Sequence, residues 1–121
     1  MAKSLREIQE HICKVFTRCS AIPKNADIVL REDDGWQTVV HCTWKAPTPT
    51  ALGGSKVTRE IILQLAGVAT KRFLEADAEQ LTHYDSRLSD IVQNRILQGY
   101  RETESDTGPF IIGLDDHDFD V

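Results

Sequence analysis

Two hydrophobic periods divide the chain. From Leu5 onward, Leu5, Ile8, Ile12, Val15, Phe16 and Cys19 recur every three or four positions, which places them on one stripe of an α-helix. Polar Gln9, Glu10, Lys14 and Arg18 fall between them. Ser4 followed by Glu7 has the spacing of a capping box, in which each side chain satisfies a backbone N–H of the first turn. The helix ends by Ser20, ahead of Ile22-Pro23, because proline disfavours helical geometry in the residue before it. The period then changes to two. Trp36, Thr38, Val40, Cys42 and Trp44 alternate with Gln37, Val39, His41, Thr43 and Lys45, which predicts a strand with those two sets on opposite faces. Asp27–Arg31 predicts a shorter strand with Ile28 and Leu30 on one face. Asp33-Asp34-Gly35 supplies the hairpin turn between the two, since glycine tolerates the positive φ that a tight turn requires.

Ala46 to Ser55 contains two prolines and two glycines and reads as a loop. The apolar run after it fits two readings. As a strand, Val57–Leu65 turns Ile61, Leu63 and Leu65 inward and Glu60, Ile62 and Gln64 outward. As a helix, it lines up Ile61, Ile62, Leu65, Ala69 and Phe73. Periodicity does not separate short apolar runs. The strand is preferred because β-branched residues cluster there and Gly67 interrupts the helical pattern. A two-stranded hairpin would also be a poor platform for the apolar helix surface that follows. That surface belongs to a helix from about Val68 to Glu75, with Val68, Arg72 and Phe73 on one face. Asp77 breaks it, and a long helix runs from Glu79 to Arg101 with Leu81, Tyr84, Leu88, Ile91, Val92, Ile96 and Tyr100 facing the core. Phe110–Leu114 is a last strand, and the acidic tail 115–121 is expected to fray. The predicted fold class is α+β, in the order α-β-β-β-α-α-β. An antiparallel sheet of three to four strands carries helices on one face, in a single domain spanning residues 1–114.

Composition narrows the function classes. A chain of 121 residues, 40% hydrophobic and 27% charged, has the size and make-up of one globular domain able to build a core without metals or disulfides. Fourteen basic residues against 19 acidic ones leave a net charge of -5. That balance argues against a nucleic-acid partner, which needs a basic face to displace counterions from phosphates. No apolar run approaches the ~20 residues that cross a bilayer, and the first residues lack the apolar stretch of a secretory signal. The expected location is the cytoplasm. There Cys13, Cys19 and Cys42 stay reduced and packed, since they are odd in number and show no Cys-x-x-Cys spacing.

Candidate chemistry is sparse. His41, His83 and Cys42 would have to converge to hold zinc, and nothing in their spacing brings them together, so no metal or cofactor is expected. The aspartates of the tail lack the glycine and closing glutamate of a calcium loop. Gly53-Gly54-Ser55-Lys56 fails the phosphate-loop pattern. The same segment gives the order of elements found in double-stranded-RNA-binding domains, provided that a helix starts there with several lysines. Only Lys56 and Arg59 are cationic, and a strand at 57–65 removes the match. An enzyme site assembled from His41, Arg59, His83 and Tyr84 is a second alternative, which a shared pocket would support.

Thr43-Trp44 at a strand end, Ile61-Ile62-Leu63-Gln64-Leu65 followed by Arg72-Phe73, Arg87-Leu88, and Asp115-Asp116 with Phe119 resemble a group of small uncharacterised bacterial proteins that share a domain of unknown function. The resemblance implies a soluble bacterial protein and carries no functional residue with it. The leading expectation is a non-enzymatic binding or regulatory module that self-associates as a homodimer or engages another protein. Its surface is the half-apolar outer sheet face of Val29, Val39, His41, Thr43, Ile62 and Gln64, provided that no helix covers it.

Overall fold

A computed structural model of the chain describes residues 4–31, 36–47, 56–100 and 109–119. These form α1 (Leu5–Thr17), β1 (Asp27–Arg31), β2 (Thr38–Pro47), β3 (Lys56–Leu65), α2 (Gly67–Glu75), α3 (Ala78–Gly99), β4 (Phe110–Leu114) and a 3-10 turn at Asp116–Phe119. The architecture is α+β in the expected order, and the strands lie in one sheet in the order β1-β2-β3-β4.

The ambiguous run is a strand. All ten residues of β3 pair antiparallel with β2, from Thr38↔Leu65 to Pro47↔Lys56, and β1 pairs antiparallel with β2 on its other side. β4 lies on the other edge of β3 along Ile61–Leu65, so this part of the strand is bonded on both sides, in a pleated layer that suits its β-branched side chains. The sheet is antiparallel through these three strands and mixed overall, because β4 pairs parallel with β3. A parallel neighbour needs a long crossover, and here α2 and α3 supply it.

One face of the sheet holds the core. Thr38, Val40, Cys42 and Trp44 of β2 alternate with Arg59, Ile61, Leu63 and Leu65 of β3, and all are buried. Ile8, Ile12, Val15 and Phe16 of α1, Phe73 of α2, and Leu81, Leu88, Val92 and Ile96 of α3 close over them in a single cluster. Side chains cap the starts of α1 and α3, and the expected Ser4–Glu7 box is present in its Ser4 half only. Ser4 Oγ accepts from Glu7 N at 3.1 Å, and Asp77 forms a reciprocal box with Gln80. A buried hydroxyl pair, Thr38 Oγ1 and Thr70 Oγ1 at 2.9 Å, pins α2 to β2. Asp85 accepts from His11 Nε2 at 2.8 Å and joins α1 to α3.

Four expectations are corrected. β2 begins at Thr38 and continues through Ala46 and Pro47, so the loop is shorter than its composition suggested and Trp36 stands outside the ladder. Trp36 is 47% exposed and lies against the start of α2, where a Cβ on Gly67 would come within 3.1 Å of its own Cβ. In α2 the inward residues are Ala69, Thr70 and Phe73. Val68 is exposed instead, on the side of the helix away from Thr70, whose hydroxyl meets Thr38 of β2.

The tail is the largest departure. Phe119 is buried, with its ring edge-on to Phe73 at 5.1 Å and to Tyr84 at 6.1 Å. Arg72 Nη1 donates to the Asp116 carbonyl at 3.1 Å and Arg87 Nε to the Asp118 carbonyl at 2.9 Å, so Asp115–Phe119 packs rather than frays. The turn signal at 33–35 and the loop from 48 to 55, with its Gly53-Gly54-Ser55, lie outside the described residues.

Candidate interaction surface

Alternation along the strands forces a second sheet face, and no described helix covers it. The buried apolar residues of all three helices join the inner cluster, and Val39 and Ile62 lie outside that cluster. Register sets the pattern of this outer face. Val29 pairs with His41, His41 with Ile62, and Ile62 with Ile111, so these four side chains form one row across all four strands. On one side of it lies the row Asp27, Thr43 and Glu60, and on the other Arg31, Val39, Gln64 and Gly113.

The row is apolar at both ends. Val29 is 56% exposed and Ile111 52%, while Ile62 within the row and Val39 beside it are buried. At its centre His41 donates from Nδ1 to Glu60 Oε1 at 2.9 Å. The ionised carboxylate can only accept, so this contact fixes the imidazole orientation and covers part of the acid. Lys45 donates to Thr58 Oγ1. Asp27 and Arg31 are both exposed, and neither takes part in an ion pair among the described residues.

The six residues predicted for this surface all lie on the one face. Ile111, Asp27 and Arg31 were missed. Ile111 could not be assigned from its own pattern, because only the parallel pairing with β3 decides which strand it extends. Asp27 and Arg31 were legible as flanks of the first strand, two positions either side of Val29.

The alternative constellations separate. His41 projects from the outer face and Arg59 from the inner face of adjacent strands, while His83 is exposed on α3. Tyr84 is packed against Phe73 at 5.5 Å. His41 and Cys42, being consecutive on a strand, point to opposite faces. A cleft of about 500 Å³ between the end of α1 and β1 is lined by Arg18, Cys19, Lys24 and Ile28 among others and contains none of the four proposed enzyme residues. Burial pushes the Cys42 thiol up from 9.0 to about 11, and burial likewise raises Cys13 and Cys19. None of the three is suited to act as a thiolate nucleophile near neutral pH. The strand at 56–65 removes the helix on which the RNA-binding reading depended. No described helix is long and apolar enough to cross a membrane.

No protein-family model, curated protein or solved structure matches the chain. The functional reading therefore rests on the molecule's own geometry.

Proposed function

We propose that this chain is a non-enzymatic binding or regulatory module that works by self-association through the outer face of its sheet. The observation that carries the reading is the continuous Val29–His41–Ile62–Ile111 row, open at both ends in a domain whose other large apolar residues are mostly buried. Apolar surface of this kind is removed from water when a second flat face stacks on it, as in sheet-on-sheet packing with faces about 10 Å apart. The polar groups beside the row are arranged so as not to obstruct such stacking. Glu60 is already engaged by His41, and Thr43 and Gln64 can bond across an interface without a charge to desolvate.

Light scattering on the full chain at micromolar concentration tests the reading. A mass of two chains is expected for the wild type. A mass of one chain is expected for Val29→Asp/Ile111→Asp, which places two charges on half-exposed positions that the core does not use. A wild-type chain that stays monomeric removes self-association from the reading.

A further inference from the structure

Taking the outer face as the working surface, and so resting on the reading above, we propose a specific occupant. It is a second copy of this chain, stacked face to face about a two-fold axis along the Val29–His41–Ile62–Ile111 row, so that Asp27 of each copy meets Arg31 of the other.

The charge pattern selects this arrangement. A two-fold axis along that row lays each strand over its own counterpart in the opposite direction and exchanges the two flanking rows. Asp27 then lies over Arg31 twice, Glu60 over Gln64 twice, and Thr43 over Val39 twice. Val29, His41, Ile62 and Ile111 each meet themselves on the axis, which is the self-complementarity an isologous interface requires. The alternative axis, parallel to the strands, would put β1 over β4 and leave Arg31 opposite Gly113 with no acid to meet. The aligned packing of two twisted sheets turns them by about 30°, which displaces the edge strands by a few ångströms, within the reach of an arginine side chain.

The charge of the whole chain bears on how two copies can meet. Two copies at net charge -5 repel each other through most orientations. Among the described side chains of the outer face, Asp27 and Glu60 stand with Arg31 and Lys45. Stacked in this way, the two Asp27–Arg31 attractions oppose the repulsion between the chains. Complementary rim charges of this kind set register and exclude other orientations more than they add raw affinity.

Analytical ultracentrifugation of four full-length proteins at low salt tests the proposal, with circular dichroism confirming that each is folded. Both positions are exposed, so folding is expected throughout. Asp27→Arg alone and Arg31→Asp alone each turn two attractions into two repulsions, and each should weaken the dimer on the order of tenfold or more. Asp27→Arg/Arg31→Asp restores both pairs and should recover the wild-type dissociation constant to within a few-fold. Mixing the two single variants should give a heterodimer tighter than either homodimer, because every exchanged pair is then complementary. A wild-type dimer that is indifferent to both single reversals overturns this arrangement while leaving the outer face as a docking surface. A dimer that the singles weaken but neither the double variant nor the mixture restores also overturns it. A wild-type monomer overturns both.

Discussion

The two faces of the sheet are cut from the same strands yet differ in what covers them. On the inner face Val40, Cys42, Ile61, Leu63 and Ile112 are excluded from water, and three helices and the C-terminal turn seal them. On the outer face Val29 and Ile111 remain half-exposed at the ends of a row that crosses the whole sheet. Both faces use β-branched side chains, so local preference does not separate them. The difference lies in what each face has been given to pack against. The inner face has met its partner within the chain, and the outer face presents an apolar row of the same kind with none among the described residues.

Substitutions that shorten side chains should divide along this line. Leu63→Ala and Phe119→Ala, each at a site closed to water, should cost about 3–5 kcal/mol in urea unfolding, through lost transfer energy and the cavity left behind. The second variant also tests whether Asp115–Phe119 belongs to the core. A cost near zero for Phe119→Ala would return that segment to the status of a loose tail.

Smaller effects test the polar fittings of the inner face. Thr70→Val removes a hydroxyl that bonds Thr38 Oγ1 at 2.9 Å and leaves the latter short of a buried partner, for a cost of about 1–3 kcal/mol. Cys42 offers a pH test. Its folded pKa lies above the unfolded one, so the neutral thiol's contribution is complete below about 9.0 and is lost as the pH rises through about 11. Melting temperatures should therefore fall less between pH 8.5 and 11 in Cys42→Ala than in the wild type. Asp77→Ala removes the cap and half of the box at the start of α3 and should cost about 1 kcal/mol.

The smallest stability effects belong to the outer face. Val29→Ala and Ile111→Ala should change the stability of the dilute chain by only about 0.5 kcal/mol or less, while reducing any concentration-dependent gain in melting temperature that self-association contributes. A stability loss at Val29 as large as that at Leu63 would erase the distinction between the faces.

Much of the fold was legible because its signals are local. Ser4 marks a helix start through a contact within three residues, whereas Asp77, read from the sequence as a helix break, proves to cap the start of α3. Thr38 to Trp44 declare a two-faced strand through strict alternation. Val57–Leu65 was harder, since its run of β-branched and leucine side chains satisfies two periods at once. Leu65 is inward in either reading, and only the pairing from Thr38 to Pro47 distinguishes them. Trp36 was misplaced for a related reason. It keeps the alternation of β2, but the ladder starts two residues later, where Thr38 finds Leu65.

The sequence by itself determined α1, the alternation of β2 and the order of most elements, because those follow from periodicity and caps that act over one or two turns, while Val57–Leu65 needed its pairing with β2 to be fixed as a strand. Only the tertiary structure decided that β4 lies parallel beside β3, that Phe119 returns to the core against Phe73 and Tyr84, and that Val29, His41, Ile62 and Ile111 fall in one row. Each of these depends on contacts between residues distant along the chain, whose geometry is set by how the helices close on the sheet and not by any preference a residue carries alone.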